Sequence, residues 1–579
     1  MSLDQEKRVI VAFALSFVML ILWRVFFVKE PPPQPKKTTP AAPTATAPGQ
    51  PAAAPAVSTG PEAKQAASRV ALPVTKGNKA EDIVVENDLY RITFSTQGAV
   101  VKSWVLKKYR DAKDNLLDTV DVAACQTLGF PMSVSMSDAT LQAQLNQGIY
   151  VAEAVKPVVR GEPAKLSGTT FAPPVSLSFT YSDGKSQVVK KFTFGASYGV
   201  HVEVSAFDGQ NYLPIDIAWP GGFGDHSLAP ATIENYSQAV YGSLGDLNTL
   251  PQRKVKEDRS IPGPLQLAGL EDKYFVDIIL PDAPDQVAFR VARQEWSPPD
   301  WTEKEKPRPL TATLAETQPK PLAFRLFIAP KDLDVLKSAN PPLDSLVDFG
   351  WFSFIAKPLF IALRYVYDHW VHNYGWAIVL LTVLINLAMF PLKLKSLRSA
   401  QEMQRVSPII KGIQDKYKQY KFNDPRKQKM NEEVMKVYSE HHINPLGSCL
   451  PMLLQLPFLY GFYRVLDLAI ELRHAPWTLW IKDLSAQDPL YILPSVIVVT
   501  QFILQRMTPM ATADPAQQRM MMIMPLVFGF MFFRFPSGMV LYWLTGNVVG
   551  IAQQLFINRH MRVPDPLLAP PRKPAVAKE

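Results

Sequence analysis

Apolar positions along this 579-residue chain follow two rhythms, long unbroken runs and strict alternation. The first run, Val9 to Val28, reads VIVAFALSFVMLILWRVFFV, with Arg24 as its one charge. Twenty helical residues rise about 30 Å, the depth of a bilayer's hydrocarbon core. The run is too long for a leader's apolar stretch, and Trp23, Phe26 and Phe27 stand where cleavage needs small side chains. It predicts an uncleaved membrane anchor, with Arg24 snorkelling at its end.

From about Glu81 to Asn340 the period is two. LYRITFST, SLSFTYSD, SQVVKKFTFG, YGVHVEVSAF, QVAFRVARQEW and PLAFRLFIAP alternate or are rich in β-branched and aromatic residues, with turn signals such as Asp183-Gly184 between them. They predict a large antiparallel β-sandwich. After Asn340 the long runs return. LDSLVDFGWFSFIAKPLFIALRYVYDHW is amphipathic and aromatic, and reads as a helix lying in the membrane interface over about 341–370. Five further spans follow: Trp376–Leu392, Asn444–Leu466, Pro489–Met507, Met521–Phe535 and Ser537–Ile557, the last two joined by the RFPSG turn. The predicted fold is thus an α-helical bundle of five core transmembrane helices over 371–557, one N-terminal anchor over 1–28, and the sandwich over 81–340.

Composition sharpens this outline. Residues 31–80 hold 11 Pro, 13 Ala and no aromatic residue, so 29–80 reads as an extended linker without a core of its own. The near-zero mean hydropathy is an average over spans, linker and a polar sandwich. The net charge of +9 is also uneven: 81–340 has 26 Lys and Arg against 32 Asp and Glu, whereas 393–443 has 12 against 6 and the tail 558–579 has 5 against 2. The positive-inside rule puts the 393–443 loop, the short basic tail and the N-terminus in the cytoplasm, and the sandwich outside. Within that loop, Asp424-Pro425 separates two helical stretches, which predicts a basic helical hairpin able to meet anionic lipid or a partner. The excess charge is not a nucleic-acid footprint.

Signatures of catalysis are missing. There is no GxxxxGK[ST] and no HExxH, and His369 and His372 lack a third ligand nearby. None of the eight histidines falls in a predicted span, and Cys125 and Cys449 lie in unlike segments. The chain is expected to be no enzyme, with no cofactor and no metal. What remains is polarity at hydrocarbon depth: Thr382, Asn386, Gln455, Gln501, Thr545 and Asn547. Such groups face other helices or a wet cavity rather than lipid, and serve either as interhelical hydrogen bonds or as the lining of a shared path.

Four longer stretches carry a family resemblance. NPLGSCLPMLLQLPFLYGFY (Asn444–Tyr463), LWIKDLSAQDPLYILP (Leu479–Pro494) and FPSGMVLYW (Phe535–Trp543) resemble the core of the YidC and oxidase-assembly family of membrane protein insertases. ENDLYRITFSTQGAVVKSWVLKKY (Glu86–Tyr109) resembles the start of the periplasmic domain found in its Gram-negative members. The resemblance implies a multi-pass protein of the bacterial inner membrane. Its five-helix core would surround a hydrophilic groove open to cytoplasm and lipid, along which nascent hydrophobic segments slide without nucleotide hydrolysis. Implied partners are nascent membrane proteins, the Sec translocon with its accessory subunits, membrane lipids and, weakly through cytoplasmic loops, the ribosome.

Carried over by position, Thr382 and Tyr542 match substrate-contacting residues. Gln455, Leu456 and Pro457 match the third-span wall. Trp543 stands where some relatives have Tyr, and Asn547 belongs to the same groove. Asn386 occupies the place of the family's groove arginine, so the fixed charge is missing there. Lys393 lies seven residues on, about 10.5 Å toward the cytoplasm on the same face, and is expected to supply part of that charge at the groove mouth; the plain alternative is an anchoring lysine. A competing reading of the same polar residues is a small-solute transporter or channel, although spans two to six show no internal repeat.

Overall fold

The structure, a computed structural model, describes residues 71–156, 164–296, 308–420, 424–443, 450–508 and 529–560. The anchor at 9–28, the linker up to residue 70, Cys449, most of the fifth predicted span and the tail beyond His560 lie outside the described residues. The chain divides into two units, 1–66 and 67–579, and everything below belongs to the second.

Strands form where the period is two because alternation gives each one buried face. Gln187–Phe194 alternates without a break, burying Val188, Lys190, Phe192 and Phe194. The turn before it is the one Asp183-Gly184 predicts: Asp183 Oδ1 accepts from Lys185 N at 2.8 Å and Ser186 N at 2.7 Å, while Gly184 takes φ +91°. Ten strands make one sheet, running edge to edge from Asp246–Pro251 through Gln238–Ser243, Leu267–Glu271, Phe275–Pro281, Leu322–Pro330, Gly199–Phe207, Gln187–Phe194, Val175–Ser182 and Val151–Lys156 to Ala164–Leu166.

Two five-stranded sheets complete the region. The one containing Tyr90–Ser95 packs on the large sheet through Phe94, whose ring lies 4.8 Å from Phe192 and 5.7 Å from Phe179. Its Trp104 reaches Trp219 of the third sheet at 6.5 Å. Among the described residues the sandwich has one departure from the antiparallel expectation, a short parallel pairing of Asp82–Glu86 with Thr170–Phe171. Among the short helices that interrupt it, Val122–Leu128 and Ala139–Gln147 each begin at an aspartate, Asp121 or Asp138, whose side chain accepts from backbone N–H groups of the first turn.

The remainder is helical. Helix α1 (Ser353–Val366) ends in a π-helical turn, Tyr367–Val371, and the chain then bends by 113° into α2 (Tyr374–Ala388). His372 holds the bend at φ +45° and Asn373 caps α2, its side chain accepting from Trp376 N at 3.1 Å. The second predicted span does not form one helix. It breaks at Met389, and Pro391, which has no N–H, sits in the first turn of α3 (Phe390–Lys416), where that donor is not needed. Helix α4 (Pro425–Glu440) starts at the Asp424 cap, as its sequence predicts, and closes a hairpin with α3 over Met403, Val406, Ile410 and Val437. Helices α5 (Leu450–Leu468), α6 (Ile492–Met507) and α7 (Ser537–His560) follow. Among the described residues α7 alone is long and apolar enough to cross a bilayer unaided; α1 with its π turn and α2 meet the same test as a bent pair, and α6 is shorter.

Candidate functional site: a polar seam in the helical bundle

The loop 467–488 closes the end of the bundle where α2, α6 and α7 begin. Asn373 donates from Nδ2 to Pro476 O at 2.9 Å, and Gly375 leaves room for Trp477, whose Cδ1 would meet an added Cβ at 2.2 Å. Ser537 N and Gly538 N donate to Ala486 O and Leu484 O at 2.7 and 2.8 Å. Asp488 is buried and takes Trp480 Nε1 and Leu493 N at 2.9 and 2.7 Å. These bonds satisfy helix-end donors that would otherwise be orphaned.

Beyond this closed end a thread of polar groups runs down the bundle. Thr382 is fully buried and donates to Ile378 O one turn back, at 2.6 Å. Asn386 Nδ2 donates to Thr382 O at 2.9 Å. Gln553 of α7 donates from Nε2 to Asn386 O at 3.1 Å and accepts from Lys393 Nζ at 3.0 Å. Thr382, Asn386 and Lys393 are therefore joined, and the joint is Gln553. Sequence reasoning missed that residue, although its amide lies inside the sixth predicted span and the rule that selected Asn547 applies to it equally. Asn547 faces another way, donating to Thr500 Oγ1 of α6 at 3.2 Å. Tyr542 stacks on Phe462 of α5 at 4.4 Å, and Trp543 packs on Phe532 at 5.0 Å. Gln455 is exposed on α5, Pro457 is half-buried, and the Leu456 side chain lies outside the described residues. Among the described residues no hydrogen bond ties Gln455 to the seam.

A second polar cluster joins the sandwich to loop 467–488. Arg473 pairs with Asp225, both buried, and lies over the rings of Tyr274 and Phe275. Asp467 takes Lys273 Nζ at 3.0 Å and Tyr236 OH at 2.6 Å. Beside them burial pushes the Glu471 carboxyl up to about 7. Burial pushes the Cys125 thiol up to about 12, His369 stacks on Tyr365, and among the described residues no group of three His, Cys, Asp or Glu is placed to hold a metal.

Both halves of the chain have counterparts of the same descent. Residues 82–362 match the YidC periplasmic domain family, and residues 366–564 match the 60Kd inner membrane protein family. Two proteins named membrane protein insertase YidC are similar over nearly the whole chain. That of Syntrophus aciditrophicus is 32% identical, covering 96% of this chain and 99% of its own. That of Citrifermentans bemidjiense is 36% identical, with the same two shares of 96% and 99%. This chain belongs to the YidC family of membrane protein insertases. The crystal structure of YidC from Thermotoga maritima, 15% identical, covers 83% of this chain and 99% of its own at a TM-score of 0.27. YidC membership accounts for both halves, the β-sandwich region and the C-terminal helices.

Proposed function

We propose that the chain inserts nascent membrane proteins into the bacterial inner membrane, with the polar seam as the transient seat of the substrate's hydrophilic flank. The observation that carries this reading is the hydrogen-bonded thread Thr382–Asn386–Gln553–Lys393 inside the helical bundle, whose far end is closed by loop 467–488. A charged group crossing the bilayer centre costs several kcal/mol, and a hydrated seam shortens the apolar part of that path. Transfer of the substrate's apolar helix into lipid supplies the driving force, so no nucleotide is required. In this reading Gln455, Leu456 and Pro457 of α5 form one wall of the path, while Tyr542, Trp543 and Asn547 of α7 form the other. The termini and the α3–α4 hairpin lie in the cytoplasm and the sandwich in the periplasm. Lipids surround the bundle, the Sec translocon takes part for larger substrates, and the ribosome docks weakly at the cytoplasmic loops.

The purified chain in liposomes is expected to raise protease-protected insertion of a short single-span substrate above that of empty liposomes. Photocrosslinkers at positions 382 and 542 are expected to capture that substrate in transit. Insertion no better than empty liposomes overturns the proposal, and solute flux without insertion would establish a channel instead.

A further inference from the structure

The sandwich holds a cavity that lies apart from the seam. Its volume is about 40 Å³, and it sits among the loop 220–228, the start of the helix Val122–Leu128 and the turn Gln252–Lys254. About three waters fill such a space, or one ammonium group with the first carbon or two of its chain. The inner wall is preformed. Gly221 and Gly222 take φ +84° and +83°, and Trp219 Nε1 donates to Gly222 O at 2.9 Å. An added Cβ at Gly221 would meet Cys125 Sγ at 2.8 Å, so this wall is packed tightly on the helix behind it. Phe223 is buried in the same wall, and Trp296 stands half-buried in the lining.

Three lining residues bring acceptors that have no donor. Gln252 is buried, and its Nε2 donates to Arg308 O. That bond fixes which end of the amide is the oxygen, and the buried Oε1 is left without a partner. His226 Nε2 lies 3.2 Å from Thr119 O, so in the neutral ring the hydrogen belongs on that nitrogen. Nδ1 is then an acceptor, 3.8 Å from the Asp121 carboxylate with no hydrogen between them. Asp121 Oδ1 caps its helix through Ala124 N at 3.1 Å, and Oδ2 is the oxygen that looks toward His226. Among the described residues no lysine or arginine lines the cavity or pairs with Asp121.

We propose that this cavity binds a primary ammonium group, carried by a small free alkylamine or by an ethanolamine headgroup. An ammonium has three N–H donors and no acceptor, which matches Gln252 Oε1, His226 Nδ1 and Asp121 Oδ2 one for one. The carboxylate makes one of those bonds charge-assisted, and the aromatic lining of Phe223 and Trp296 suits a cation. A hydroxyl brings a single hydrogen. A quaternary ammonium brings none and is wider.

The test titrates ethanolamine into the full chain in detergent micelles and follows its methylene signals by saturation-transfer NMR. Ethylene glycol and choline serve as the hydroxyl and quaternary counterparts. Ethanolamine is expected to bind saturably, and the other two at least about tenfold more weakly, the loss that goes with one charge-assisted hydrogen bond. Asp121→Asn keeps an oxygen to cap the helix but removes the charge, and is expected to weaken ethanolamine about tenfold with the melting midpoint unchanged. Trp296→Leu, which touches none of the three acceptor bonds, is expected to weaken it as well. Absence of saturable ethanolamine binding, equal affinity for ethylene glycol, or unchanged binding in both variants overturns the proposal. Displacement of ethanolamine by phosphatidylethanolamine vesicles and not by phosphatidylcholine vesicles supports the headgroup as source. Displacement by neither supports a free amine, and displacement by both overturns the proposal, because the choline head has no N–H to give. None of these outcomes depends on whether the chain inserts a substrate.

Discussion

Lys190 shows how alternation and side-chain chemistry can disagree at one residue. The period-two rule puts it on the inner face with Val188 and Phe192, whereas a lysine belongs outside. The position follows the period: Lys190 is fully buried, and its ammonium reaches Gly98 O, Ala99 O and Met132 O at 2.7, 3.2 and 2.7 Å. Those acceptors come from segments distant in sequence, so nothing local to VVKKFTFG announces them. Burial still pushes its pKa down to about 7 from 10.5. Between those two values the unfolded chain keeps the proton that the folded domain has released. Unfolding in that window takes up a proton, so stability rises with pH across it and is lowest below pH 7, by roughly 5 kcal/mol over the full range. The denaturant midpoint of the sandwich, followed by fluorescence in the detergent-solubilised chain, should climb from pH 7 to pH 9. Lys190→Met should lower that midpoint, because three carbonyls lose a shared donor, and should flatten the climb. An equal climb in the variant would show that other groups set it.

Elements were legible to the degree that their signals are local. All six quoted alternating segments are strands, and Asp424-Pro425 starts a helix as its types require. The break at Met389 has a local cause in Pro391, yet the unbroken apolar run hid it. The join between sandwich and bundle was not legible, because Asp225 and Arg473 lie 248 residues apart and no period relates them. Geometry does the work there. Asp272 accepts from Tyr274 N and Phe275 N and so shapes the turn whose rings lie under Arg473. Asp272 Oδ2 also accepts from Asp225 N at 2.7 Å, holding the arginine's partner in place. Cutting one member of a buried pair strands the other charge at a cost of about 3–5 kcal/mol, whereas removing both is much milder. Arg473→Met should therefore speed hydrogen exchange across 467–488 by two orders of magnitude or more, and Arg473→Met with Asp225→Asn should recover most of the protection. Unchanged exchange in the single variant would mean that loop 467–488 is held by its bonds to α2 and α7 alone.

For the whole molecule, the placement of bare apolar surface says more than any one span does. Among the described residues, the exposed large apolar side chains of the sandwich are Val74, Leu116, Val122 and Tyr212, and the others lie between Trp351 and Phe556. A water-exposed surface of that kind would aggregate, so it belongs to lipid. Sequence hydropathy located this half correctly, but it could not divide the half into helices that cross and helices that lie flat. The structure adds a 113° bend between α1 with its π turn and α2. Helix α1 is apolar on two sides. Ala356, Leu359, Phe360 and Leu363 are buried against the bundle, where Gly461 of α5 lets the backbones approach, while Phe354 at 69%, Ile361 at 57% and Tyr365 at 53% remain exposed. Residues 354, 361 and 365 share one helical face, and Trp351 and Trp370 flank it as aromatic interface anchors do. We propose that a helix leaving the bundle at that angle, with one face packed and the other bare, lies along the membrane surface with the bare face in the acyl boundary. Nitroxides placed at 354 and 361 in liposomes should therefore meet dissolved oxygen more often than a water-soluble nickel chelate, and Ile361→Glu should lower the yield of folded, membrane-integrated chain. If both nitroxides relax as freely with the chelate as labels on the sandwich surface, α1 stands in water, and the apolar face must be covered by protein instead.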